Sequence, residues 1–129
     1  VLEAVGYGFY HHLVVFREMG LNPSRYYMSN GGSKSTLWRQ IVTDIVGAPV
    51  EYITRHPGSS LGAAFVAGMA IGVFQDWSEV DQYITERELM EPDLKKHAIY
   101  QEYFAVYCDL YEQLKNNFQR IYEINTKQN

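Results

Sequence analysis

Apolar residues recur at spacings of three and four along most of this chain, and give way to short β-branched or aromatic runs in two places. Leu2, Val5, Phe9, Leu13 and Phe16 fall on one face of a helix predicted over 1–19. Gly6 and Gly8 inside it each cost about 1 kcal/mol against Ala, which predicts close approach to another backbone. Gly20 stands at a C-cap position, and Asn22-Pro23 begins a turn. Residues 25–29 read as a strand. Over 34–46, Leu37, Ile41 and Ile45 align with Trp38 and Val42 beside them, a helix that Gly47 ends and Pro49 keeps from resuming. Val50 to Thr54 is a second short strand. After the turn His56-Pro57-Gly58, Ser59 or Ser60 can cap a helix over 60–74 that carries Gly62, Gly68 and Gly72. Three interior glycines cost roughly 2–3 kcal/mol together unless a close helix–sheet contact or a ligand offsets them. A short helix follows over 78–84, then an acidic loop from Glu86 to Asp93 containing Pro92.

One long helix is predicted over 94–124. Ile99, Tyr103, Val106 and Leu110 form one stripe; Tyr100, Phe104, Tyr107, Tyr111, Leu114 and Phe118 form another beside it. So wide an apolar face packs on something substantial. Residues 125–129 read as a polar tail. Alternating helices and strands argue for an α/β layer. Two strands alone do not make a stable sheet, so other chain, or another copy, has to complete it. The chain enters its first helix directly at Val1 without a Met, which predicts a piece of something longer.

Composition narrows the classes. The 129 residues, 47% hydrophobic and 20% charged, suit one globular domain. A net charge of -4 argues against a nucleic-acid binder. Leu61 to Phe74 is an apolar run of 14 residues, short of the roughly 20 that span a bilayer. The single cysteine, Cys108, makes no internal disulfide and points to a reducing, cytoplasmic setting. His11-His12 are adjacent and so point apart on a helix, and His56 and His97 are isolated. None has metal-ligand spacing.

Chemistry concentrates at residues 29–36. A strand runs into Gly31-Gly32, hydroxyl residues follow, and an amphipathic helix begins. A helix N-terminus after two glycines presents unpaired N–H groups and the positive end of the helix dipole, which suits a phosphate. A Walker loop is excluded because Met28 stands where its first glycine belongs, and Gly-Gly-Ser-Lys-Ser-Thr does not fit a dinucleotide fingerprint. The residues alone leave a second reading open, a tight strand–helix turn without a ligand. Lys34 could equally neutralise a phosphate or point into water.

The run NGGSKSTLWRQIVTDIVGAPV, followed by SSLGAAFVAGMAIGVF, resembles the C-terminal domain of the FGGY carbohydrate kinases, the family of xylulokinase, gluconate kinase and glycerol kinase. Leu37, Trp38, Gln40, Asp44, Gly47, Pro49 and Val50 match its L-W-x-Q-x-x-A-D-x-x-G-x-P-V pattern, with Thr43 in place of Ala, and Leu61-Gly62-Ala63-Ala64 matches its L-G-A-A. Glu3 and the segment from Pro92 to Phe118 resemble the family as well. Two departures are Asn30, where Gly is frequent, and the absence of a Glu from Arg55 to Ser60.

The resemblance implies a partial ribonuclease-H-like (actin-like ATPase) α/β fold. Residues 1–124 would be the C-terminal nucleotide-binding portion of a two-domain, ATP-dependent sugar or polyol kinase, with the N-terminal domain absent. It implies nucleotide binding by Asn30, Gly31, Gly32, Ser33 and Ser35, and small residues Gly62 to Ala64 packed close behind, with Lys34 the candidate phosphate contact. ATP and Mg²⁺ would be the cofactors, and the sugar would bind mainly through the missing domain. Neither a catalytic residue nor a metal ligand is assigned to this chain, which alone would be inactive. The alternative is a non-catalytic actin-like module acting in self-association, and homo-oligomers are expected. Nucleic-acid and membrane partners are not.

Overall fold

The computed structural model describes residues 1–29, 31–53, 58–84 and 86–127. Helix α1 (Leu2–Glu18) leads to strand β1 (Tyr26–Met28). A 3-10 turn (Gly31–Lys34) and helix α2 (Thr36–Val46) follow, then β2 (Val50–Ile53) and α3 (Ser59–Ala70). A 3-10 segment (Trp77–Tyr83), β3 (Arg87–Met90) and α4 (Leu94–Thr126) complete the order.

The sheet has the order β1-β2-β3. β1 runs parallel to β2, with Tyr26 opposite Val50 and Met28 opposite Tyr52. β3 runs antiparallel on the other side, with Val50 opposite Met90 and Ile53 opposite Arg87. The segment read as a solvated acidic loop therefore contains the third strand. Its four residues, Arg-Glu-Leu-Met, carry little strand propensity of their own. Pairing holds them, helped by the Arg87–Glu51 ion pair at 3.2 Å.

α2 is the hub because both its faces are used. Val42 and Val46 pack on Val50 and Tyr52 of β2, with Leu13, Tyr26, Met28 and Trp38 at the margin. Ile45 turns the other way, onto Tyr7 and Tyr10 of α1, and Tyr100, Phe104 and Tyr107 of α4 close that cluster. Tyr10 meets Phe104 edge-on at 4.9 Å between ring centres. Leu37, expected in line with Ile41 and Ile45, is instead 67% exposed. It lies in the first turn, beyond the reach of either cluster.

The glycines of α1 separate cleanly. A Cβ on Gly6 would stand 2.5 Å from Ile45 Cδ1, so α1 and α2 meet there, but through the end of a side chain and not, as expected, through a second backbone. A Cβ on Gly8 would meet nothing within 4 Å. α3 ends at Ala70 rather than 74, because Gly72 adopts a left-handed φ of 76°. The chain then turns back so that the Phe74 ring stacks on Phe65 at 4.4 Å and fills the space a Cβ on Gly68 would need. α4 reaches Thr126, so the expected tail begins two residues later than 125. Only its first half is docked, and Leu110, Leu114, Phe118 and Ile121 are exposed.

Candidate functional site

β1 delivers the chain to the corner, and α2 carries it away. Asn30 lies outside the described residues. Gly31 opens the 3-10 turn, exposed, with open space where a Cβ would stand. Gly32 is half-buried for a different reason: a Cβ there would lie 2.1 Å from Cζ3 of Trp38, whose ring covers it. Ser33 lies in the turn, and Lys34, its last residue, is exposed. Ser35 is the N-cap of α2 in extended conformation; its Oγ accepts the Trp38 N–H at 3.3 Å, and its own N–H donates to the Gly32 carbonyl. That hydroxyl satisfies one of the four amides a helix start leaves unpaired.

The corner is thus built as a helix N-terminus, held by a cap and an indole ring. It brings Gly31, Gly32, Lys34 and Ser35 together at the surface. Its donor set of first-turn N–H groups, a hydroxyl and an ammonium fits a phosphate chain. Residues 29–36 contain no carboxylate, so the corner offers nothing suited to a divalent cation by itself. Gly62, Ala63 and Ala64 of α3 are exposed, and nothing lies within 4 Å of a Cβ placed on Gly62. Among the described residues, the expected close packing of this small face on its surroundings is therefore not present, because α3 meets mainly its own aromatic return at Phe74 and Trp77.

Beneath the corner lies a polar group that periodicity did not reveal. Arg39 is 6% exposed. Its Nη1 donates to Glu88 Oε2 of β3 at 2.5 Å, and its Nη2 to Thr36 Oγ1 at 3.1 Å. The guanidinium lies 5.6 Å from the Tyr52 ring centre. The Arg39 carbonyl accepts two hydroxyls, from Tyr52 and Thr43, each at 2.8 Å. Burial pushes the Tyr52 phenol above its ordinary pKa, while the Thr43 hydrogen bond and the Arg39 charge pull partly the other way. A charged residue on the buried side of α2 was the available signal.

The far end of α2 explains more of the sequence motif. Gln40 Nε2 donates to Asp44 Oδ1 at 2.7 Å and to the Glu91 carbonyl at 3.2 Å. The Asp93 N–H donates to the same Asp44 oxygen at 2.8 Å. Gly47 takes φ 71°, and the His97 ring fills the place of its missing side chain. His97 Nδ1 stands 2.9 Å from the Asp44 carbonyl, which can only accept, so that nitrogen carries the proton. Gln40, Asp44 and Gly47 together form a socket for the start of α4.

Against this geometry, the profile described as "FGGY family of carbohydrate kinases, C-terminal domain" matches residues 1–71, more than half of the chain. The chain belongs to this family. The matched span holds the corner, the α4 socket and all of α3. The chain is 30% identical over 116 residues to a xylulose kinase of Staphylococcus epidermidis, covering 89% of this chain and 23% of that one. It is 35% identical over 94 residues to an autoinducer-2 kinase of Escherichia coli, covering 69% of this chain and 18% of that one. The crystal structure of a xylulose kinase from Rhodospirillum rubrum superposes with a TM-score of 0.73 at 35% identity, over 92% of this chain and 24% of that one. The chain therefore spans about a quarter of the length of the curated xylulose kinase it matches. Its fold is the corresponding part of an actin-like ATPase domain. Among the described residues, no helix of this FGGY domain is long and apolar enough to cross a membrane.

Proposed function

We propose that this chain is the nucleotide-binding C-terminal part, residues 1–124, of an ATP-dependent kinase that transfers the γ-phosphate to a hydroxyl of a sugar or polyol. The observation that carries the reading is the family match over residues 1–71, which contains a solvent-facing helix N-terminus at the corner. Gly31 lets main-chain N–H groups approach the phosphates, Lys34 supplies positive charge, and Gly32, Ser33 and Ser35 complete the surface against the nucleotide. Asn30 joins this set on the family resemblance. Mg²⁺ arrives with the nucleotide, its protein ligands lying outside the corner. Phosphoryl transfer needs an aligned hydroxyl, a metal and a base as well as this cradle. Those belong to the rest of the kinase, so the chain by itself binds and does not turn over. A cytoplasmic setting goes with this chemistry.

ADP with Mg²⁺, titrated at millimolar concentration, should raise the melting temperature and slow hydrogen exchange at residues 30–36. An unchanged exchange pattern there refutes the reading. Self-association is the second reading, favoured by the exposed apolar stripe of α4 beyond Leu110 and by a sheet whose outer strands pair, among the described residues, on one side only. Light scattering across a dilution series decides it.

A further inference from the structure

We propose that Arg39 is a positioning residue for the nucleotide: it fixes the first turn of α2, and with it the glycine corner, to strands β2 and β3. The proposal rests on the nucleotide reading above. Arg39 cannot touch a ligand, being 6% exposed. It holds the corner from beneath at both its ends. The main-chain N–H donates to the Ser35 carbonyl at 2.9 Å, and the main-chain carbonyl is pinned by the hydroxyls of Tyr52 and Thr43. The guanidinium bridges Thr36, the first residue of α2, and Glu88, which stands opposite Tyr52 in the sheet. The two residues that follow Lys34 are therefore tied to strands that do not include the corner.

The energetics point to geometry over stability. The carboxylate partner is half in water, its side chain 51% exposed, and among the described residues the buried Nε has no hydrogen-bond partner. A buried charge so paired adds little over an apolar side chain of similar length. What an apolar side chain cannot do is reach two oxygens through one rigid planar fork. Replacing Arg39 should leave the fold standing and release the first turn.

The test uses the full-length gene product carrying this chain, with ADP and Mg²⁺ as probe. Calorimetric titration, melting without nucleotide and hydrogen exchange of residues 29–38 are read together. Arg39→Met should melt within about 5 °C of wild type. It should lose ADP affinity about tenfold, the loss expected when about one hydrogen bond to the phosphates is misaligned, and exchange faster at 31–36 before any nucleotide is added. Thr36→Val, on an exposed residue, should lose affinity about threefold, and the double variant should be no weaker than Arg39→Met. Arg39→Lys should recover part of the affinity, because its three donors share one nitrogen and do not span the two oxygens as the planar fork does. If Arg39→Met does not fold, Thr36→Val carries the test. Wild-type protection at 30–36 together with affinities within about twofold in both variants overturns the role of Arg39 alone. A wild type that shows no response at 30–36 overturns the nucleotide reading and this proposal with it.

Discussion

Removing the Asp44 carboxylate should undock α4. The residue is 1% exposed, and one of its carboxylate oxygens accepts two N–H donors, from Gln40 at 2.7 Å and from the Asp93 main chain at 2.8 Å. Hydrogen bonds to a charged acceptor are worth about 1.5–3 kcal/mol each. Lys96, 3.9 Å from the other oxygen and 57% exposed, adds well under 1 kcal/mol after screening. Asp44→Ala therefore costs about 3–5 kcal/mol, a large share of the roughly 5–15 kcal/mol that holds a domain together. Asp44→Asn keeps an acceptor of the same shape and should cost about 1–2 kcal/mol. The readout is hydrogen exchange with mass spectrometry, because it separates local undocking from global unfolding. Residues 93–107 should lose protection in Asp44→Ala while β1 and β2 keep theirs, and Asp44→Asn should lie between. If Asp44→Ala exchanges at 93–107 within about 0.5 kcal/mol of wild type, the socket does not hold α4 and the reasoning fails.

The Gly47→Ala variant combines a left-handed residue with loss of the space filled by the His97 ring, so it should destabilise by about 2–4 kcal/mol. In a His97→Ala background the same change should cost only the backbone part, about 1–2 kcal/mol by denaturant titration. The two glycines of the corner should separate. Gly31→Ala, with open space for its methyl, should leave stability within about 1 kcal/mol of wild type yet weaken ADP binding. Gly32→Ala should destabilise through Trp38, by about 1–3 kcal/mol in thermal melts, and regain stability when Trp38 is shortened to Leu. Stability should also fall at alkaline pH. Burial raises the phenol pKa of Tyr52, and likewise of Tyr7 and Tyr100, so the unfolded chain releases those protons first. The stabilisation is complete below about pH 10, the ordinary tyrosine value, and is lost as pH climbs above it. Melting from pH 8 to 11 should show Tyr52→Phe, weaker at neutrality, closing part of its gap to wild type at the alkaline end; a constant gap would refute this.

How far the chain could be read depended on how local each feature is. α2 was placed within two residues, because amphipathic spacing and Gly47 as stop act inside one helix, although Ser35, which caps it, was placed inside the helix. The corner's position followed for the same reason. Its reading as glycines shaped for a ligand was incomplete, since the ring that fills the space beside Gly32 was visible only as a nearby Trp. β3 was missed because Arg-Glu-Leu-Met becomes a strand only beside β2. The long helix was legible and its docking was not: helical spacing makes α4, but the half that packs is set by where α1 passes.

From one-dimensional information came every element type but that of β3, the family, and the surface where a phosphate could sit, all of which rest on neighbours a few positions apart. The three-dimensional arrangement alone decided which polar groups are buried and what they hold. Arg39 and Glu88 are 49 residues apart, as are Asp44 and the Asp93 amide. No local propensity encodes a burial that exists only once a strand and a helix from the far half of the chain close over α2.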